Sequence, residues 1–385
     1  MKTRFGFWRL LFVAIMLAGA YSTWVRFARG LGASTNLSDR FPWGLWIGFD
    51  VLCGVGLAAG GFAIAATVVI FHLDRFRPIL RPTILTAFLG YVLVIVALLF
   101  DLGRPYRIWH PLVMRNPHSV MFEVAWCVML YTAVLALEFS PVVFEKLHWE
   151  RAKKVVHAIS VPVVILGVLL STLHQSSLGS LFLIMPEKLH ALWYTPFLPV
   201  FFYLSALSVG LTMVMLESSW SGRAFGKRIE IDLLQDLARV FIVVQTVFVV
   251  WRFQDLGSRH VLGQAFGGGL TAGLFWLEVA LASVVPAILF AIPAIRRTES
   301  GLFWGAAIAV TGFVLGRLNV SITGFEASSG RYVPSWTEVA VTASIIALGF
   351  AIFGFVARRL PVFGPHEPQL RRLRRPWATT HAEPV

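Results

Sequence analysis

The chain has 385 residues, 57% of them hydrophobic and only 14% charged, with a mean hydropathy of +0.74. A water-soluble globule of this length does not need that balance, whereas a bundle solvated by lipid does. The formal net charge of +13 would point to nucleic acid in a soluble protein; here the bases sit between apolar runs, where they set topology, and nucleic-acid binding is set aside.

The first segment, Met1 to Ser22, carries early bases, an apolar stretch and an Ala18-Gly19-Ala20 tail, so it imitates a secretory signal peptide. Apolar character continues to Phe27, close to the roughly 20 residues a span requires, which favours a retained first helix near 7–28. Further apolar runs fall near 43–71, 84–101, 119–140, 156–174, 196–217, 236–256, 271–293, 301–319 and 336–357. The predicted fold is therefore all-α and polytopic, with about ten transmembrane helices. Alternate loops differ in charge. One side holds Lys2, Arg4 and Arg9, then Arg75, Arg77 and Arg81, then Lys146 to Lys154, Arg223 to Arg228, Arg296, Arg297 and the basic C-terminus. The positive-inside rule places that side, with both termini, in the cytoplasm of a bacterium with the chain in its inner membrane. Residues 1–360 form the membrane domain, and 361–385 read as a disordered basic tail able to touch anionic lipid. The bases of Asp101-Leu102-Gly103-Arg104-Pro105-Tyr106-Arg107 run against the trend, so something besides topology keeps them.

Two halves of the chain echo each other. Pro42 matches Pro196, Gly54-Val55-Gly56-Leu57 matches Ser208-Val209-Gly210-Leu211, and Asp101-Leu102-Gly103 matches Asp255-Leu256-Gly257, all at an offset of 154. Phe122-Glu123-Val124-Ala125 matches Leu277-Glu278-Val279-Ala280 one residue further on. Each unit holds four helices, an even number, so the copies share one orientation about an axis along the membrane normal. The expectation is two four-helix repeats, 42–179 and 196–323, flanked by the first and last helices.

Phe41-Pro42-Trp43-Gly44-Leu45-Trp46-Ile47-Gly48, the run Gly54 to Gly61, Asp101-Leu102-Gly103-Arg104-Pro105 and His174-Gln175-Ser176-Ser177-Leu178-Gly179 resemble the NrfD/PsrC family, most closely its ten-helix HybB-like branch. The resemblance covers nearly the whole chain. It implies a cofactor-free membrane anchor that exchanges electrons between a periplasmic ferredoxin-like iron–sulfur subunit and membrane quinone, menaquinone or ubiquinone, near the periplasmic face. It also implies a catalytic module beyond that subunit, with a [NiFe]-hydrogenase as leading donor; a sulfur-compound or other respiratory enzyme is the alternative within the family.

Quinone reduction needs an apolar slot, donors for two carbonyl oxygens and a proton source, because two electrons arrive with two protons. Glu123, about one turn into the fourth helix, and His174, expected to end the fifth on the same side, are the candidates for proton transfer to quinone. They could equally be a buried pair that locks helices together. Asp101, Arg104 and Arg107 at the end of the third helix could hold a quinone carbonyl or pin a Gly-Pro turn; Asp50 in the second helix could bind quinone or join a proton path. Tyr91, Glu138, Glu217, Asp236, Arg239 and Glu278 outline a possible proton path from the cytoplasm, the alternative being packing for Tyr91 and ordinary charge at helix ends for the next four. For Glu278 the alternatives are a vestige, or a structural pair with Arg252 or Arg317.

Haem between paired histidines is not expected: His157 and His174 sit at opposite ends of one run, and His72, His110, His118, His148, His190 and His260 read as loop or interface residues. Cys53 and Cys127 lack CxxC or CxxCH spacing, so iron–sulfur or covalent-haem ligation has no ligands here. The outer stretches 29–40, 175–195 and 320–335 are the expected docking surface for a partner, and Gly267-Gly268-Gly269 is no phosphate loop. A secondary transporter would also suit ten helices with a repeat, but it needs interrupted helices around a central site, and no matched breaks show in the sequence. A structural anchor that never touches quinone is the remaining reading; it leaves Glu123 and His174 replaceable.

Overall fold

The computed structural model describes residues 2–363, except 42 and 228. Pro42, Arg228 and the tail from Gly364 onward therefore lie outside the described residues.

Among the described residues ten helices are long and apolar enough to cross a bilayer: α1 (Gly6–Arg29), α2 (Trp46–Val69), α3 (Asp74–Asp101), α4 (Val120–Leu147), α5 (Ser160–Leu183), α6 (Leu198–Phe225), α7 (Ile231–Ser258), α8 (Gly269–Ala291), α9 (Glu299–Ser329) and α10 (Trp336–Arg359). Lipid offers no partners to backbone N–H and C=O groups, so each apolar run closes its own hydrogen bonds as a helix, and no strand forms among the described residues. Ten alternating crossings put the start of α1 and the end of α10 at one end of the bundle; the opposite end is called distal below.

Several helices outrun their apolar cores. α5 continues through Leu183, so His174 lies within the helix and does not end it; α9 likewise continues to Ser329. The outer stretches expected at 175–195 and 320–335 are thus helical over much of their length, because small and apolar residues there still pack inside the protein: Leu178, Leu181, Phe182 and Phe325 are all buried. α4 passes Pro141 to reach Leu147, where Glu145 pairs with Arg81 at 2.8 Å and Lys153 at 3.6 Å. Residues 361–363, read from the sequence as the start of the tail, pack onto the bundle: Arg81 Nη1 donates to Pro361 O at 2.8 Å and Val362 is fully buried.

In lipid there is no hydrophobic drive between apolar helices, so close packing of small residues decides which helices sit in the middle. α2 has 78% of its span buried and α6 61%, while α1 and α10 have 22% each and pair at the periphery. The α2–α6 contact is made at glycines: a Cβ on Gly60 would lie 2.7 Å from Gly210 O, so only glycine permits this approach. Three π-type turns interrupt the helices, at Trp46–Val51, Ala280–Val284 and Asn319–Thr323. They re-aim side chains without unwinding the helix, and α2 has in addition a short turn at Ala58–Ala59 between its helical segments Leu52–Leu57 and Gly60–Val69.

Candidate functional site

Helices α2 to α5 bury a polar cluster about 15 Å below their distal ends, at 1.5 Å per residue. Tyr91 comes from α3, Tyr131 from α4, and Ser171, His174 and Gln175 from one face of α5; all five are fully buried. The Tyr91 ring lies 4.7 Å from Tyr131 and 5.7 Å from His174, centre to centre. Gln175 Nε2 donates to Val55 O at 3.1 Å, fixing its amide. Among the described residues neither ring nitrogen of His174 has a partner, and both tyrosine hydroxyls, Ser171 Oγ and Gln175 Oε1 lack a well-formed hydrogen bond, with Ser171 and Gln175 lying toward the Tyr91 hydroxyl and Ser171 and the Phe62 backbone toward that of Tyr131. Each such orphan costs about 1–3 kcal/mol when nothing meets it, so the cluster is built to hold water or a ligand's polar atoms.

Glu123 stands nearer the distal end, at the rim of these helices and exposed. Its Oε1 accepts from Ser177 Oγ at 2.7 Å, and the same hydroxyl reaches Leu173 O at 2.8 Å. One hydroxyl proton cannot serve both acceptors at once. When it goes to Leu173 O, a protonated Glu123 can donate to Ser177; when Glu123 is ionised, Ser177 donates to it. The hydroxyl can thus follow the carboxyl through a proton-transfer cycle, one helical turn from His174. Glu123 and His174 therefore lie in the same group of helices but do not form a direct pair: Ser177 is the bonded link to Glu123, and Tyr91 is the aromatic neighbour of His174.

The other expected quinone ligands separate. Asp50, in the π-type turn of α2, is buried and accepts from Thr342 of α10 at 2.7 Å. Asp101 forms no ion pair with Arg104 or Arg107 among the described residues; instead Arg26 of α1, itself buried, donates to Phe100 O at 2.5 Å and Leu102 O at 2.7 Å and closes the end of α3. Arg104 and Arg107 are exposed on the distal loop beside Tyr106, Trp109, Leu112, Val113 and Met114, which are 50–69% exposed.

The expected proton path is equally divided. Asp236 is a partly buried group bound by the exposed Arg75 and Arg239, both at 2.8 Å, because α3 and α7 begin at the same interface. Glu138 is partly buried on α4, beside Gly167 of α5. Glu217 is buried near the other end of α6: Ser221 donates to its Oε1 at 2.6 Å, its Oε2 has no partner, and with Thr83 and Thr86 it lines a cavity of about 10 Å³, about the space one water needs. Glu278 is locked. Arg252 meets Oε1 at 2.5 Å, while Trp193 Nε1 and Asn319 Nδ2 each reach Oε2 at 2.9 Å. Of the two register-matched glutamates, Glu123 has a single hydroxyl partner and Glu278 has every acceptor engaged.

Sequence reasoning missed Tyr131, Ser171, Gln175 and Ser177. Ser171, His174 and Gln175 recur at helical spacing along one face, a signal that was legible; Tyr131 is a lone aromatic in an apolar run and gave none. Among the described residues His174 is the one buried histidine, so no second imidazole stands opposite it and the residues do not fit a bis-histidine haem.

Fold and site together define a polytopic all-α membrane protein whose distal half carries an acid–base cluster at membrane depth. The family described as "Polysulphide reductase, NrfD" matches residues 33–328, and the chain belongs to it. Similar proteins include one from Nitratidesulfovibrio vulgaris that is 38% identical over 91% of this chain and 93% of its own length. The "Probable Ni/Fe-hydrogenase 2 b-type cytochrome subunit" of Escherichia coli K12 is 34% identical over 88% of each chain. The "Menaquinone reductase, integral membrane subunit" of N. vulgaris is 29% identical over 96% of this chain and 94% of its own.

Proposed function

We propose that the chain is the quinone-reactive membrane subunit of a respiratory oxidoreductase complex in the bacterial inner membrane, passing electrons between a partner iron–sulfur subunit and menaquinone or ubiquinone. The observation that carries the reading is the buried set Tyr91, Tyr131, Ser171, His174 and Gln175 with its unpartnered polar atoms, joined toward the rim by Ser177 and Glu123. Supporting it, one relative is named a menaquinone reductase subunit and another a Ni/Fe-hydrogenase 2 subunit. The second name favours a [NiFe]-hydrogenase as donor.

With quinone as substrate, His174 and the two tyrosines supply hydrogen bonds to carbonyl oxygens, and Glu123 through Ser177 supplies or removes protons at the rim. The positive-inside pattern makes the distal end periplasmic, and the exposed aromatic and basic loop of Arg104 to Met114 is the docking surface for the iron–sulfur partner. A proton supply from the cytoplasm would run by Glu217 and Thr86 toward Tyr91.

The test is donor-to-quinone turnover by the purified complex carrying Glu123→Gln or His174→Ala. The reading expects quinone reduction to collapse while assembly and reduction of an artificial acceptor persist. Unchanged turnover in both variants would establish the anchor reading instead. The catalytic subunit that co-purifies identifies the donor.

A further inference from the structure

Helices α6 to α9 contain a buried arginine that makes no ion pair among the described residues and has only the field of Glu278 to answer its charge. Arg317 of α9 is 5% exposed. Its Nη2 donates to two neutral acceptors, Phe202 O at 3.0 Å and Ser205 Oγ at 3.1 Å, and its guanidinium lies over the rings of Phe202 (3.6 Å) and Phe313 (4.7 Å). Its Nε has no partner. The nearby carboxylates are committed elsewhere: Glu278 to Arg252, and Asp255 to Arg259 at 2.7 Å and Thr195 at 3.0 Å. Two guanidinium–carboxylate pairs cancel, and Arg317 shares the field of Glu278 but has no carboxylate of its own, leaving one excess positive charge at membrane depth, a costly arrangement.

Arg317 lines a cavity of about 60 Å³ between α6, α7, α8 and α9. Two more unpartnered buried atoms belong to residues of the same lining, Ser208 Oγ and Gln245 Oε1. Gln245 Nε2 is held by Ala282 O at 3.1 Å and Ser283 Oγ at 2.6 Å, so the amide oxygen, an acceptor, is the free atom. The volume decides the size of ligand. The cavity is well below the roughly 300 Å³ and above of pockets for drug-sized molecules, and at about 10–15 Å³ for each water it has room for a small ion with a few waters.

We propose that this cavity binds a small monovalent anion of the chloride class, which accepts from Arg317 Nε–H and the Ser208 hydroxyl, with one water bridging it to Gln245 Oε1. The anion completes the charge balance of helices α6 to α9 and does not depend on the quinone reading of α2 to α5.

The probe is bromide. In crystals of the native complex containing the full chain, grown with bromide as the sole halide, the anomalous difference map shows a peak beside Arg317. Bromide found only elsewhere, or water alone beside Arg317, overturns the proposal. In a second measurement, the thermal midpoint of the detergent-purified full chain rises when chloride or bromide replaces gluconate at fixed ionic strength, and Arg317→Gln abolishes that rise. An identical midpoint for the wild-type chain in halide and gluconate also overturns it. Should Arg317→Gln fail to assemble, the bromide map and the wild-type comparison decide.

Discussion

Replacing Arg252 by methionine removes the bonded cation from a buried carboxylate, leaving Arg317, which makes no hydrogen bond to it, as the remaining nearby positive charge. The two side chains are 10% and 7% exposed, so water cannot take over the role of the guanidinium, and Glu278 retains only the neutral donors of Trp193 and Asn319. Breaking one partner of a buried pair costs about 3–5 kcal/mol, whereas replacing both partners by neutral groups of similar shape is often nearly neutral. At about 2 °C of midpoint per kcal/mol for a chain larger than 150 residues, Arg252→Met should lower the midpoint by about 6–10 °C. Arg252→Met with Glu278→Gln should recover more than half of that loss, since glutamine keeps an oxygen for Trp193 and Asn319. The assay is thermal unfolding of the detergent-purified chain, with the single and double variants compared at one scan rate. If the double variant is as unstable as Arg252→Met alone, the destabilisation is lost packing and the account of an abandoned carboxylate is wrong. Glu278→Gln by itself separates structure from transport, because a locked glutamate predicts unchanged quinone turnover at reduced stability.

Tyr131→Phe keeps the ring against Tyr91 and deletes only the hydroxyl; a hydrogen bond from it to a quinone carbonyl, at about 1.4 kcal/mol, predicts about a tenfold fall in quinone turnover with normal assembly. Gly210→Ala puts a methyl 2.5 Å from Gly60 N at the α2–α6 contact, and the overpacking should cost about 1–3 kcal/mol, read as a lower midpoint; an unshifted midpoint would mean the helices part freely. Asp236→Asn cuts two bonds to arginines that are each 59% exposed, so stability should change by less than about 1 kcal/mol and turnover not at all, and a large loss of turnover would restore Asp236 to a proton path. Tyr332, in the distal segment between α9 and α10, donates to Glu338 and accepts from Leu45 N at 2.9 Å; burial first, and the Glu338 carboxylate second, push its phenol well above the usual value. The folded state then holds a proton that the unfolded chain releases near pH 10, so stability should be flat through neutral pH and fall above about pH 10. Tyr332→Phe should remove part of that alkaline loss, as read by the midpoint against pH.

The sequence by itself determined the number of spans and the family. A run of some twenty apolar residues has one solution in lipid, and Phe41 to Gly48, Gly54 to Gly61, Asp101 to Pro105 and His174 to Gly179 are local strings that need no partner to be recognised. Glu123 and His174 were legible for a related reason: an ionisable group in an apolar run is conspicuous wherever it points. What only the tertiary structure decided is which of these groups meet. Composition cannot distinguish Glu123, with a single hydroxyl for company, from its register match Glu278, because the difference lies in Arg252, Trp193 and Asn319, which arrive from α7, the distal connection before α6, and α9. Nor could it show that Asp50 belongs with Thr342 or that Arg26 closes α3, since those partners are 292 and 74 residues away. Helix ends were misjudged at His174 for the same reason. Past the apolar core a helix is held by what it packs against, and for α5 that is the neighbouring helices rather than lipid.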